Sequence, residues 1–316
     1  MRKSIIFIIA AAALSAACVK SETDGSNVIS FSPVASKVTK AIINGTTYPI
    51  DEEFVVSAYH NGTAPYFEDL TASYRSSIEL WETSTSQYWP LGGSLTFNAY
   101  SPASAGLTID ASGVTATDYE VRTSAQMTTD LLYATATVAD CSAHPASVPL
   151  NFSHALSQIV FKVKAADYYN TSGSTLSLAM TSLSLSGIYS VADFADGAWD
   201  NHESAQTFAL SSTSTQLTYD SNDDPETIDV CAYLFLPQEI SADARINVGY
   251  SITQNISGTT YSIENPPVAV ALRNTVTEWE PGKKYIYTIN IGLDNLITFT
   301  ASTTDWVAQE GGVVVE

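Results

Sequence analysis

Apolar and polar residues alternate with a period of two along most of the chain from residue 54 onward, and no amphipathic helix interrupts the pattern. The alternation predicts strands at Phe54–Tyr59 (FVVSAY), Leu95–Tyr100 (LTFNAY), Val148–Phe152 (VPLNF), Gln158–Ala165 (QIVFKVKA) and Leu183–Ser186. Further strands are predicted at Ile228–Leu236 (IDVCAYLFL), Ile246–Ile252 (INVGYSI), Tyr285–Leu293 (YIYTINIGL) and Leu296–Ser302 (LITFTAS). Asp294-Asn295 separates the last two, and both residues tolerate positive φ, so a tight hairpin is expected there. Polar clusters at Thr83–Gln87, Tyr169–Ser174, Ser211–Thr215 and Asp220–Glu226 read as loops. Short strands punctuated in this way predict an all-β chain of antiparallel sandwiches. The segment Asp140–Ser147 (DCSAHPAS) is the best linker, and it sets an expected domain boundary near residue 146.

The first residues follow a different pattern. Arg2 and Lys3 precede Ile5–Leu14, an uncharged apolar run of about ten residues, too short to cross about 30 Å of hydrocarbon. Ser15, Ala16 and Ala17 then lead to Cys18, as at a bacterial lipobox, although Leu14 stands four residues before the cysteine rather than three. Residues 1–17 therefore read as a lipoprotein signal peptide and Cys18 as the acylated N-terminus, with ordinary signal cleavage near Ala17 as the alternative. The charged stretch Val19–Gly25 (VKSETDG) fits onward sorting to the outer leaflet. With no later apolar run long enough to span a bilayer, lipid would hold the protein to the outer membrane.

Composition narrows the function classes. The chain carries 13 basic and 33 acidic residues, a formal net charge of −20, and loss of Arg2 and Lys3 would make it more acidic. Such a surface repels nucleic acid and anionic lipid, since both require a basic patch that releases counterions. Low charged content (15%) with 17 Tyr and many Val, Ile and Thr is strand composition. Besides Cys18 there are two cysteines, Cys141 and Cys231, which either pair in an oxidising compartment or stand as two separate small buried side chains.

Candidate chemistry is sparse. The histidines at 60, 144, 154 and 202 lack metal-ligand spacing, and His154, within LNFSHALSQIVF, reads as a packed core histidine. Cys141 and His144 lie three apart, but no third group that would orient a nucleophile pair is evident. The run Asp220-Ser-Asn222-Asp-Asp224 starts like a calcium loop, yet Pro225 stands where glycine is required and Cys231 where a bidentate Glu is required. No phosphate, dinucleotide or nucleophile-elbow glycine pattern is present. The tryptophans at 81, 89, 199, 279 and 306 either line a sugar site or fill the core, and core is the default for scattered Trp in a sandwich. No catalytic residue, metal site or cofactor is expected.

Several segments, in order, resemble the fimbrillin-like proteins of the Bacteroidetes: Thr39–Gly62 (TKAIINGTTYPIDEEFVVSAYHNG), Asp130–Ala134 (DLLYA) and Leu150–Val163 (LNFSHALSQIVFKV). The ending agrees, with Trp279-Glu-Pro-Gly-Lys-Lys-Tyr285 leading into YIYTINIGL and then ITFTASTTDW, which ends at Trp306. The resemblance spans roughly residues 39–307. It implies two tandem transthyretin-like β-sandwich domains after the signal peptide, at 41–146 and 147–316, with residues 18–40 as a tether or propeptide. It also implies a structural, adhesive pilus subunit that polymerises with other fimbrial subunits by proteolysis-triggered strand exchange and meets a host or bacterial surface ligand.

Family members are cut after arginine, whereas the first Arg after Cys18 is Arg75; Lys37 and Lys40 occupy the expected region. Val28–Val38 reads as the strand such a cut would remove, with Pro33 restricting it to pairing on one N–H side. At the other end, Gly311-Gly312 precedes Val313, Val314 and Val315, a β-prone tail suited to donation, with a frayed terminal strand as the alternative. The runner-up function is a monomeric surface lipoprotein that binds glycans through exposed aromatics. A secreted hydrolase ranks last, because no nucleophile, metal or paired-carboxylate site is defensible. Replacing Cys18 with Ala is expected to abolish metabolic fatty-acid labelling and release the protein from the membrane fraction; labelling that persists in the variant would refute acylation at this residue.

Overall fold

The computed structural model describes residues 27–35, 48–293 and 296–306. The chain is all-β. Its first half runs through β1 (Ser30–Ala35), β2 (Phe54–His60), β3 (Ala64–Arg75), β4 (Leu80–Thr83), β5 (Leu95–Ser101), β6 (Thr108–Asp110), β7 (Gly113–Glu120), β8 (Leu132–Val138) and β9 (Val148–His154). The second half starts with β10 (Ser157–Ala165), β11 (Ser174–Ile188), β12 (Val191–Ala195), β13 (Ala198–Glu203), β14 (Gln206–Ser211), β15 (Thr215–Gln216) and β16 (Ile228–Phe235). It finishes with β17 (Gln238–Glu239), β18 (Arg245–Ile256), β19 (Thr259–Ala271), β20 (Glu278–Trp279), β21 (Lys283–Ile291) and β22 (Ile297–Asp305). All nine strands expected from alternation are present, and the four expected loop clusters fall almost wholly between strands.

Seven strands close into a barrel in the order β1-β4-β3-β2-β5-β8-β9. Beside it, the sheets β16-β10-β21-β22 and β14-β11-β18-β19 face each other, while β13-β12-β7-β6 joins strands from both halves of the sequence. One feature differs from the sequence expectation. The sheets are not purely antiparallel, because β1 runs parallel to β9 and β10 parallel to β21; side-chain periodicity carries no information on strand direction. The course of the chain near residue 146 lies within the barrel. β9 lies beyond residue 146 yet completes the barrel, so the chain leaves that barrel at Ala155-Leu156, and Asp140–Ser147 is a connection inside it.

Packing explains why β2 is apolar on both faces. Phe54, Val56 and Ala58 fill the barrel with Phe31, Phe97, Leu150 and Phe152. The opposite face, Val55 and Tyr59, joins the second core beneath β6 and β7, where the Tyr59 hydroxyl donates to the Ile109 carbonyl at 3.2 Å. β9 shows the simpler case: Val148, Leu150, Phe152 and His154 are buried and the residues between them are exposed.

Where the chain passes from barrel to second core, His154 and Asp130 are both almost fully buried and meet at 2.8 Å (Nδ1 to Oδ2). A carboxylate only accepts, so Nδ1 carries the proton. The imidazole stacks on Trp306 with ring centroids 3.8 Å apart and planes 12° from parallel. Around it, Gly282 N–H donates to the Leu156 carbonyl (3.0 Å), Trp306 N–H to the Gly282 carbonyl (2.9 Å) and the Trp199 indole to the Ala155 carbonyl (2.6 Å). His154 is thus the core histidine its apolar neighbours suggested. The β21–β22 hairpin is in register from Lys283–Asp305 to Ile291–Ile297 and is closed by the Leu296 N–H on the Leu293 carbonyl at 3.1 Å; Asp294 and Asn295 lie outside the described residues. His154→Ala takes the imidazole from a buried carboxylate and is expected to cost about 3–5 kcal/mol in denaturant unfolding. His144→Ala, at a half-exposed ring stacked on Trp89, is expected to cost only about 1 kcal/mol.

Candidate assembly site

The barrel closes only through β1. On one side β1 forms a five-residue parallel ladder with β9, from Phe31–Val148 to Ala35–Phe152. On the other it pairs with β4 at just two positions, Ser30–Glu82 and Phe31–Trp81. Pro33 accounts for part of this asymmetry, since it has no N–H to offer and lies past the last β4 pair. Ahead of β1 the chain is clasped to the segment after β4: Ile29 N–H donates to the Gln87 carbonyl (2.7 Å), and Trp89 N–H to the Asn27 carbonyl (2.9 Å). Hydroxyls add to the β9 side, with Ser30 Oγ donating to the Ala146 carbonyl at 3.1 Å and Ser147 Oγ to Ser32 Oγ at 3.0 Å.

The side chains of β1 alternate as its pairing demands. Ile29, Phe31 and Pro33 point into the barrel, and Val34 is 41% exposed. Phe31 has no exposed surface and meets Phe54 and Phe97 edge-to-face at 5.8 and 5.6 Å. Burying Ile29 and Phe31 is worth about 1.5–3 kcal/mol each relative to exposure. The chain re-enters the barrel at Tyr48, which is fully buried, stacks on Phe152 at 5.3 Å and shares a 2.7 Å hydrogen bond with Ser101 Oγ. Burial pushes its phenol pKa well above the ordinary value. Sequence reading missed this anchor, because a single Tyr between two threonines and a proline carries no periodic signal. The rest of the barrel thus has its own attachment on the C-terminal side of residues 36–47, independent of β1.

The other candidate residues fall as follows. Cys18, Lys37, Lys40, Val313, Val314 and Val315 lie outside the described residues. Cys141 and Cys231 do not form a disulfide: both are free, Cys141 within the barrel core and Cys231 packed against the second. Burial raises both thiols, Cys231 to about 12, so neither is a thiolate at neutral pH. The separation arises because β8 leads into one core and β16 lies over the other. Asp220 Oδ1 accepts the N–H groups of Asn222 (2.8 Å) and Asp224 (3.1 Å), so the acidic run is a self-capped turn with a lowered Asp220 pKa. Among the described residues no group of three His, Cys, Asp or Glu is arranged to hold a metal ion. Trp81, Trp89, Trp279 and Trp306 are core residues and Trp199 is half-buried with its indole N–H engaged; Trp199 and Trp279 also line an open cavity with Tyr189 and His202.

The class that emerges is an all-β protein of two cores, in which an N-terminal strand completes a sheet built by later strands. The chain belongs to the fimbrillin-like family, which is matched over residues 39–306. Among solved structures, one described as a cell adhesion candidate from Bacteroides ovatus shares 16% identity, with 90% of this chain and 99% of that one covered and a TM-score of 0.52. A second of the same description from Bacteroides uniformis shares 16% identity over the same shares, with a TM-score of 0.50. No curated protein matches the chain. The geometry of β1 makes a measurable statement: Phe31→Ala is expected to cost about 3–5 kcal/mol in denaturant unfolding. Val34→Ala on the same strand, facing water, is expected to stay within about 0.5 kcal/mol.

Proposed function

We propose that the protein is a structural and adhesive subunit of a cell-surface fimbria, exported as a lipoprotein through Cys18 and polymerised by strand exchange after proteolysis. Membership of the fimbrillin-like family supports the fimbrial role. The observation that carries the mechanism is the seat of β1, a peripheral strand that fills the barrel between β4 and β9 and leads directly into the segment bearing Lys37 and Lys40. A cut there separates β1 and everything before it from Tyr48, whose buried ring keeps the remaining chain in place. The vacated position offers one full ladder edge on β9 and pockets once filled by Ile29, Phe31 and Pro33. An incoming strand with alternating apolar side chains recovers both the main-chain hydrogen bonds and the burial, at about 25 cal/mol per Å2 of apolar surface. In this reading Val313, Val314 and Val315 supply that strand to the next subunit, and the two cores correspond to a tandem pair of transthyretin-like domains.

Until the cut, β1 also protects the β9 edge, which would otherwise be a template for uncontrolled association. Mild trypsin treatment of the precursor is expected to trim it near Lys37–Lys40 and yield SDS-resistant or filamentous oligomers, read by electrophoresis and electron microscopy. Deleting Val313–Glu316 is expected to block the oligomers and leave a folded, trimmed monomer. Trimmed protein that stays monomeric at high concentration would overturn the polymerisation mechanism; oligomers that survive the deletion would remove the C-terminal residues from the donor role.

A further inference from the structure

One end of the barrel is built unlike the rest of this acidic protein. From Ser84 to Ile109, and again from Phe54 to Phe67, the sequence has no Asp, Glu, Lys or Arg, in a chain with 33 acidic residues. The structure brings parts of these stretches together. The β2–β3 turn and the connection between β4 and β5 are joined by Asn61 N–H to the Ser94 carbonyl (2.9 Å), His60 Nε2 to the Gly92 carbonyl (2.9 Å) and Tyr66 Oη to the Tyr88 carbonyl (2.6 Å). Gly93, at φ +82°, lets this loop lie against His60; a Cβ there would collide with the imidazole. The resulting tip presents Leu91 at 99% exposure, Tyr88 at 55% and Tyr66 at 37%, over a base of buried Trp89.

We infer that this tip is a membrane-contact surface that seats the lipid-anchored precursor on the headgroup zone of the bilayer; the inference rests on acylation of Cys18 as proposed above. The tether enters the fold at this tip. Asn27 and Val28 are bonded to Trp89 and Tyr88 themselves, through Trp89 N–H to the Asn27 carbonyl and the Val28–Tyr88 bridge. Only residues 19–26 separate that clasp from Cys18, a reach of at most about 30 Å when fully extended. Of the surfaces of the barrel, the tip is therefore held beside the membrane by the shortest path. Its chemistry suits that place, because tyrosine rings and an exposed leucine partition to the headgroup boundary, whereas carboxylates do not. Glu68 and Asp69 follow Tyr66 on β3, and Asp140 lies next to Cys141, whose N–H bonds to the Gly93 carbonyl. These carboxylates limit the contact to the interface and favour zwitterionic over anionic lipid.

The clasp also makes the contact conditional. Asn27–Ile29 precede Lys37 and Lys40, so the cut that releases β1 removes the tether from the tip in the same step. The test is hydrogen exchange of residues 84–94 in the full acylated chain on phosphatidylcholine vesicles, against the Cys18→Ser chain mixed with the same vesicles. Exchange at the tip is expected to slow about tenfold on the vesicles. Residues 256–263, an exposed apolar segment on the β18–β19 hairpin, serve as the internal control and should exchange at equal rates in both. Leu91→Asp, at a fully exposed position, should abolish the protection without affecting flotation. Vesicle-bound protein whose tip exchanges as fast as in solution would overturn the inference. Tip protection in concentrated protein without vesicles would also overturn it and assign the face to a second copy. If the chain is not acylated and fails to float, the lipoprotein reading falls instead. Coupling a maleimide lipid to Cys18 then applies the same tether and the same readout, since buried Cys141 and half-buried Cys231, both with raised thiol pKa, react slowly.

Discussion

A sheet has an edge unless it closes on itself, and in this protein closure depends on one short strand from the far N-terminus. β1 contributes six residues, yet it joins β4 to β9 and thereby removes the two edges that the other six barrel strands would leave open. The join is asymmetric. The β9 side carries a continuous parallel ladder; the β4 side has two pairs and then stops near Pro33. A closing strand held firmly on one side and lightly on the other completes the fold without being woven into it. Phe31 supplies the other half of the attachment through packing against Phe54 and Phe97. In the mechanism proposed above, removal of the strand would leave a vacancy defined in shape and hydrogen bonding, as strand exchange requires.

The remainder of the barrel has attachments of its own besides β1. Tyr48 anchors the chain on the other side of residues 36–47, and β2 is clamped between two cores because its two faces belong to different ones. The crossing between the halves is carried by polar contacts inside an apolar setting: Asp130 with His154, the His154–Trp306 stack, and carbonyls of Ala155 and Leu156 that accept from Trp199 and Gly282. Buried polar groups of this kind tolerate little displacement, since moving one strands another in low dielectric. The sheet β13-β12-β7-β6 reinforces the crossing by pairing strands that lie far apart in sequence.

Legibility from sequence varied by element for physical reasons. Strands with one buried face, such as β9 and β21, announce themselves by alternation, because water on one side and core on the other select side chains with a period of two. β7, β12 and β13 gave no such signal: β7 and β13 are polar at most positions, β12 is only five residues long, and the β7–β12 pairing joins strands from the two halves of the chain. β3 has Pro65 at its second position and alternates poorly because its outer face is solvated along most of its length. Parallel joins were invisible, since direction leaves no trace in periodicity. Of the candidate site, the apolar content of residues 28–38 and the constraint of Pro33 could be read directly, but the strand's neighbours could not.

By itself the sequence determined the all-β class, the absence of a helical layer, most core-facing strands, the family resemblance and the acidic surface, all of which are local or additive properties of residue type. The tertiary structure alone decided that β9 belongs to the barrel, that Cys141 and Cys231 serve different cores, that His154 meets Asp130 and Trp306, and that β1 is the closing strand. Each of these is a contact between residues distant in the chain. Such contacts depend on which strands pair and in which direction, and the free energy that selects the pairing is spread over the whole packed core rather than written in any one segment.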